Sequence, residues 1–285
     1  MKKARSLLVV FFIVAVAAAI IVRYTQLIGK VIDFNTGFFY HYAGALKYLH
    51  YIALGAAFIG FIILAIIEKK RRTLFFSKRL GHFDETDTAI CGIMLLIAGF
   101  AVVYSAFTEG FDKLSYIEIL YVIIGTLAYG FAGGILLFKK RAYPSVGLAF
   151  LALSGYYVVR LVMLFVENYI ILNMPEHLVR LVIALLFSLF YLSAGRMFMR
   201  AESKGTRMKA CVFGFFGATI AVSEITAKLI FLFGSPSVTR DNLMRSAATK
   251  FISPDMLSVA ETIALVTFLL TMTRLKAERI KAGKK

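Results

Sequence analysis

Eight stretches of about twenty residues recur along the chain with almost no charge. An α-helix rises about 1.5 Å per residue, so about twenty apolar residues cross the ~30 Å hydrocarbon core of a bilayer. Lipid offers no hydrogen bonds to a backbone, so such stretches fold as helices that satisfy their own peptide groups. The predicted helices cover residues 6–22, 48–68, 88–108, 116–138, 146–166, 178–199, 209–234 and 257–275.

The composition agrees with this pattern. Sixty per cent of the 285 residues are hydrophobic, 17% are charged, and the mean hydropathy is +0.81. A soluble domain could not bury that much apolar surface. The two longest predicted loops, 23–47 and 235–256, have only 25 and 22 residues, so no soluble domain fits between the helices. We therefore predict one all-α domain over 1–285, a polytopic integral membrane helix bundle with about eight transmembrane helices.

The first apolar run has two interpretations. Its basic start and the small residues Ala15 to Ala17 are typical of a cleaved signal peptide. However, the run exceeds the usual 7 to 15 apolar residues of a signal and continues to Val22 without a polar cleavage region. We favour an uncleaved first helix, after which "RYTQLIGKVIDFNTGFFYHY", residues 23–42, forms an outer loop.

The distribution of Lys and Arg predicts the orientation. Positively charged loops stay on the cytoplasmic side, and 23 of the 33 Lys and Arg residues fall in alternate segments. We therefore expect both termini in the cytoplasm of a bacterial cell, with the basic segments facing anionic lipids of the cell membrane. This also explains the net charge of +17 without nucleic-acid binding. The basic segments are 1–5, 69–79, 139–141, 196–209 and 274–285.

The sequence lacks the motifs of the common enzyme classes. It contains no H-E-x-x-H, no G-x-S-x-G and no phosphate-binding glycine loop, and its four histidines are scattered. Two cysteines, Cys91 and Cys211, make neither a disulfide framework nor a zinc site. We expect no metal and no cofactor. A non-enzymatic role is favoured, although a lipid-modifying enzyme built from buried acids stays open.

Four charged residues lie well inside predicted helices and not at their ends. An ionisable group at such a position is costly unless it is paired or hydrated. Arg160 lies ~21 Å along the fifth helix and Glu224 ~22 Å along the seventh, with Lys228 one turn farther. Glu261 lies ~8 Å from the outer start of the eighth helix. All four therefore converge on the outer third of the bilayer.

These charges can form two neutral pairs. Glu224 and Lys228 share a helix face at four-residue spacing, which leaves Arg160 to pair with Glu261 across helices, or else with Glu224. They form either a polar vestibule for a ligand or a satisfied network that stabilises helix packing. The candidate ligand-binding residues are Arg160, Glu224, Lys228, Glu261 and the adjacent Tyr156 and Tyr157.

Three roles follow from these alternatives. The vestibule favours a transporter or membrane binding protein for a small zwitterionic or amphipathic molecule or a lipid headgroup, and predicts a cavity with a pathway toward the cytoplasm. A satisfied network favours a sensor, scaffold or assembly partner of another membrane protein, and predicts no cavity. A lipid-modifying enzyme would need an acid close to a bound headgroup.

A five-residue pattern occurs twice. Tyr129 to Gly133 in the fourth helix resembles Tyr191 to Gly195 in the sixth. The pattern indicates either a duplicated helical hairpin or small residues that let helices approach closely. The second interpretation is favoured and would also apply to Gly130 and Gly134, which are four residues apart.

The segment after the first helix predicts a turn. Asp33, Thr36 and Gly37 bring short polar side chains together with a residue that tolerates positive φ. "RYTQLIGKVIDFNTGFF" resembles the start of multi-pass membrane proteins of clostridial-type bacteria, which carry an Arg, an acid and a Thr-Gly-aromatic turn here. The resemblance covers about the first forty residues. It implies a structural turn and no activity, since none is known for that family.

The orientation can be tested with reporter fusions. Fusions after Lys78 and Lys285 should report a cytoplasmic location, and fusions after Asp112 and Arg245 an external one, because basic loops are retained inside. Alkaline phosphatase and green fluorescent protein provide opposite readouts. A reversal at two of these four positions would contradict the eight-helix arrangement.

Overall fold

The computed structural model describes residues 7–29, 31, 44–70, 85–110, 114–138, 143–168, 175–199, 201, 203, 205–234 and 254–282. Within these ranges the chain forms helices and no strand. The helices are α1 (Leu7–Ile28), α2 (Leu46–Lys70), α3 (Glu85–Glu109), α4 (Tyr116–Phe138), α5 (Tyr143–Asn168), α6 (Pro175–Phe198), α7 (Thr206–Gly234) and α8 (Met256–Ala282).

The chain is a polytopic helical membrane bundle, as predicted. Each of α1 to α7 is long and apolar enough to cross a bilayer, and the described side chains of α8 form a shorter apolar stretch, Met256–Met272. Large apolar side chains point away from the bundle, for example Ile13, Phe100 and Phe107, each more than half exposed. Such surfaces are stable only in lipid.

Six helices form a closed ring. From α3 to α8 each helix packs against the next, and α8 returns to pack against α3. The α1–α2 hairpin lies outside this ring, where both of its helices contact α7. Helix α7 therefore has neighbours on nearly every side, which explains why its buried residues are not confined to one stripe.

Successive helices run in opposite directions. Helices α1, α3, α5 and α7 end where α2, α4, α6 and α8 begin, and contacts such as Gln26 with the Leu46 carbonyl and Arg160 with Glu261 join these ends. We call this the site end of the bundle. The predicted orientation would place it outside the cell.

Aromatic side chains fill the middle of the ring. Tyr157 stacks on Tyr191 with ring centroids 5.6 Å apart, and Tyr191 stacks on Phe150 at 5.8 Å. Phe150 also packs against Phe268 of α8 at 4.9 Å. The Tyr129 and Tyr157 hydroxyls are 2.6 Å apart, so the buried phenols satisfy each other. This packing closes the centre of the bundle.

Several helix boundaries differ from the predictions, and two of these differences change which residues form the site end. Helix α1 continues to Ile28, six residues beyond its predicted end, so Arg23 is helical and not part of a loop. Helix α6 begins at Pro175, three residues earlier than predicted, which brings Glu176 into its first turn. The predicted turn at Asp33, Thr36 and Gly37 lies outside the described residues and stays a prediction.

The glycines of the repeated pattern lie at close helix contacts. A Cβ on Gly133 would be 2.8 Å from the Gly92 carbonyl oxygen of α3, and one on Gly147 would be 2.9 Å from the Gly195 oxygen of α6. Gly133 and Gly195 therefore allow backbones to meet, as the favoured interpretation predicted. That interpretation was wrong for Gly130 and Gly134, because a Cβ on either would meet nothing within 4 Å.

Adjacent glycines of α4 provide a matched test. Gly133→Ala should lower the free energy of unfolding by about 1–3 kcal/mol, because the new methyl group collides with the backbone of α3. Gly134→Ala should leave it unchanged or slightly higher, because its methyl group faces open space and Ala favours helix. The measurement compares the melting temperatures of the two variants and the wild type in the same detergent. Equal melting temperatures would contradict the close contact.

Candidate ligand site

Four charged side chains form a closed ring at the site end. Arg23 of α1 pairs with Glu176 of α6 and, at 2.9 Å, with Glu224 of α7. Lys228 of α7 pairs with the same two carboxylates, at 2.6 Å to Glu176 and 3.1 Å to Glu224. Positive and negative groups alternate, so each charge has two opposite neighbours and the ring is neutral. We call these four residues the charge ring.

The local sequence explains how the charge ring forms. Glu224 and Lys228 are four residues apart in α7 and meet on one face, as predicted. Pro175 is the first residue of α6, a position whose backbone N–H has no partner within the helix, so the missing N–H of proline costs nothing there. Glu176 then lies at the positive end of the helix dipole. Gln26 accepts a hydrogen bond from Arg23 at 3.1 Å and donates one to the Leu46 carbonyl at 2.8 Å. This last contact joins α1 to the start of α2.

The charge ring is deeply buried. Arg23 is 1% exposed, Lys228 is 4% exposed and Glu224 is 7% exposed. Buried charges are tolerated when each has opposite partners and hydrogen bonds, and removing one partner leaves an uncompensated charge. The ring therefore holds α1, α6 and α7 in one relative position.

The second charged group joins α5 to α8. Arg160 forms an ion pair with Glu261, which confirms one of the two predicted partners for this arginine. Tyr156 donates to the other oxygen of Glu261 at 3.2 Å, and its hydroxyl lies 2.7 Å from that of Tyr121 in α4. Arg160 also approaches the Ser258 hydroxyl at 3.4 Å. The predicted intrahelical and interhelical pairs both exist, in two separate groups.

A cavity separates the two charged groups. All four sequence-predicted charges line it, and Tyr157 forms part of its wall, whereas Tyr156 lies behind Glu261. The empty volume is ≈ 620 Å³, which includes the part of the cavity that is open to the surroundings. The centres of water molecules can occupy ≈ 50 Å³ of this volume. Apolar side chains complete the wall: Val179, Ile183, Ala184, Phe187, Ala221 and Ile225.

A second cavity lies beside the first. It is bounded by α3, α4, α5, α8 and the start of α6, and the centres of water molecules can occupy ≈ 150 Å³ of it. Its wall is about equally polar and apolar, with Glu118, Met163 and Leu257 among the lining residues. The two cavities share four lining residues, which mark the boundary between them: Arg160, Arg180, Asp255 and Ser258.

One carboxylate oxygen in the first cavity has no partner. Glu176 uses both oxygens, toward Arg23 and Lys228, and Glu261 uses both, toward Arg160 and Tyr156. Glu224 uses Oε1 for both cations, and its buried Oε2 accepts no hydrogen bond from the described part of the chain. Buried acceptors are nearly always bonded, so an exception indicates a role.

Arg23 and Glu176 were not among the site residues predicted from the sequence. Both lie within one or two turns of a helix end, where the side chain of a charged residue normally reaches the headgroup region. Their positions along the helices therefore did not indicate buried charges. Proline followed by an acid, as at Pro175 and Glu176, is typical of a helix start and could have moved the predicted boundary of α6. For Arg23 no comparable local signal exists.

No protein-family model matches this chain, and no curated protein or solved structure matches it either. The resemblance of the N-terminal forty residues to clostridial-type membrane proteins therefore stays an expectation. The site has to be interpreted from its own chemistry.

The charge ring predicts the effect of removing single and paired charges. Arg23→Met should destabilise the folded protein by about 3–5 kcal/mol, because two carboxylates then face one lysine. Arg23→Met combined with Glu176→Gln should recover most of that loss, since it leaves the neutral Glu224–Lys228 pair. Arg196→Met, an exposed site in α6, is the control for the substitution itself.

Two quantities are measured in detergent: the melting temperature, and the fraction of the protein that elutes as a single species on size-exclusion chromatography. A double variant no more stable than Arg23→Met would show that the ring does not act through charge balance.

Proposed function

We propose that this protein is a membrane binding protein, of the transporter or receptor class, whose ligand is a small zwitterionic or amphipathic molecule or a lipid headgroup. The observation that supports the proposal is the cavity between the charge ring and the Arg160–Glu261 pair. Its wall combines charges of both signs with apolar side chains. A molecule that carries both charges and an apolar part complements such a wall.

The cavity favours ligand binding over a purely structural role for the charged residues. A scaffold needs the charges only to satisfy one another, and most of them do so. It does not need a lined space between the two groups, nor a wall residue such as Glu224 with one buried oxygen left unpartnered within the described chain. These two features support ligand binding in addition to helix packing.

The aromatic centre limits what this conformation can transport. Tyr157 and Phe187 line the cavity, and Tyr191 and Phe150 continue the packing toward the opposite end, each at most 1% exposed. A ligand could pass only if these rings moved. Transport therefore requires a second conformation, whereas binding from the site end does not.

The proposed location follows from charge. With the basic segments in the cytoplasm, the site end faces the exterior of a bacterial cell membrane, and the ligand reaches the cavity from outside or from the outer leaflet. Anionic lipids would then contact the opposite end of the bundle.

Filling the cavity tests the proposal. Ala221 lines the cavity on α7, and Ala221→Leu adds three carbon atoms to its wall. Ala152→Leu places the same side chain on an exposed face of α5 as a control. The probes are dihexanoyl phospholipids with ethanolamine, choline, serine and glycerol headgroups, together with the deacylated glycerophosphodiesters of each. At least one zwitterionic probe should raise the melting temperature of the wild type and of Ala152→Leu but not of Ala221→Leu.

A second variant covers the case in which Ala221→Leu does not fold. Arg160→Met with Glu261→Gln removes both charges of the second group at nearly constant volume, and such pairs can be replaced without loss of stability. We expect it to fold and to bind the probe at least about tenfold more weakly. No stabilisation of the wild type by any probe, or equal stabilisation of wild type and Ala221→Leu, would overturn the proposal.

A further inference from the structure

We propose that the ligand carries a protonated amine with at least one N–H, which donates to Glu224 Oε2, together with an anionic group held by Arg180. This inference rests on the function proposed above and narrows its ligand class to amine-bearing zwitterions. The carriers of this chemistry are a phosphoethanolamine headgroup and a small soluble amino zwitterion.

The acceptor is already in position. Glu224 is anchored through Oε1 to Arg23 and Lys228, so its second oxygen cannot turn away without breaking the charge ring. Glu224 is 7% exposed and lies on the cavity wall. Oε2 itself is buried, and a donor that reached it from the cavity would satisfy it through a charge-assisted hydrogen bond.

The aromatic residues argue against a quaternary ammonium ion. Recognition of a group without N–H donors relies on open ring faces that surround the cation. Tyr157 stacks on Tyr191 and makes T-shaped contacts with Tyr156 and Phe187 at centroid distances of 5.2 and 5.3 Å. The rings beside the cavity are therefore occupied by one another and do not form a cage.

Arg180 provides the complementary charge. It lies one turn after Glu176 in α6, is partly exposed and lines both cavities. Lys228 and Arg160 are paired with carboxylates, whereas Arg180 forms no ion pair with another residue of the described chain. A guanidinium binds a phosphate or carboxylate through two parallel N–H groups.

One acid beside Arg180 is already engaged. Asp255 accepts the Leu257 backbone N–H at 3.1 Å and the Ser258 hydroxyl at 3.3 Å, and so caps α8. Both of its oxygens therefore have partners within its own helix. This leaves Arg180 available to an anionic ligand at the boundary of the two cavities.

The ligand side of the test varies the N–H donors. Dihexanoyl phosphatidylethanolamine and its monomethyl and dimethyl forms keep at least one N–H, whereas the trimethyl form, phosphatidylcholine, has none. The first three should bind the wild type with similar affinity, and the fourth at least about tenfold more weakly, since a hydrogen bond to a charged group is worth roughly that factor. Affinities come from titrated thermal shifts or from calorimetry in detergent.

The way in which affinity falls as methyl groups are added to the amine distinguishes a required hydrogen bond from a limit on ligand size. A hydrogen bond predicts loss at the third methyl group, and a tight fit predicts progressive loss with each one. A progressive loss, or equal binding of all four, would overturn this inference. The proposed function would survive either outcome, because it fails only if no probe binds or if Ala221→Leu binds as well as the wild type.

Soluble compounds identify the source of the amine. Glycerophosphoethanolamine that binds as tightly as the lipid would assign the site to a soluble zwitterion, and a gain of tenfold or more from the acyl chains would assign it to a lipid. Binding of either compound supports the amine chemistry. Binding of glycerophosphocholine equal to that of glycerophosphoethanolamine would contradict it.

Protein variants supply the complementary evidence. Arg180→Gln should weaken binding about tenfold, and Arg196→Gln at the other end of α6 should not change it. Glu224→Gln with Lys228→Met leaves a neutral Arg23–Glu176 pair and should reduce the difference between ethanolamine and choline lipids to less than twofold. A double variant that folds and still discriminates as the wild type does would show that Glu224 is not the acceptor.

Discussion

The alternating contact of two cations and two carboxylates at the site end determines how α1, α6 and α7 can pack. The packed protein almost excludes water from these charges, so each of them depends on its two neighbours. Arg23 brings the outlying α1–α2 hairpin into this network, and Gln26 extends it to the start of α2. The ring thus sets the position of the hairpin as well as that of one cavity wall.

The two ends of the bundle are stabilised by different interactions. Away from the site end, Gly92 meets Gly133 and Gly147 meets Gly195, so α3 with α4 and α5 with α6 touch through their backbones. At the site end, long side chains and tyrosine hydroxyls separate the helices. Close contact at one end and bulky polar groups at the other leave the space in which the cavities lie.

Much of the fold and four of the six paired charges could be predicted from sequence. Apolar runs of bilayer length identified the helices, and the depth of Arg160 and Glu261 together with the spacing of Glu224 and Lys228 identified their pairs. Helix ends were less predictable, because the partners of Arg23 lie in α6 and α7, far away in the sequence. Glycine spacing was also insufficient, since it does not reveal that Gly133 faces a neighbour and Gly134 does not.

The position of Arg23 has a consequence for biosynthesis. This residue leaves the ribosome early, whereas its carboxylate partners follow 153 and 201 residues later. Until α6 and α7 are inserted, the guanidinium has no buried partner and stays in the hydrated headgroup layer, which holds α1 at a shallower depth. Of the three helices that the charge ring joins, the one synthesised first therefore gains its buried partners only when the other two have been inserted.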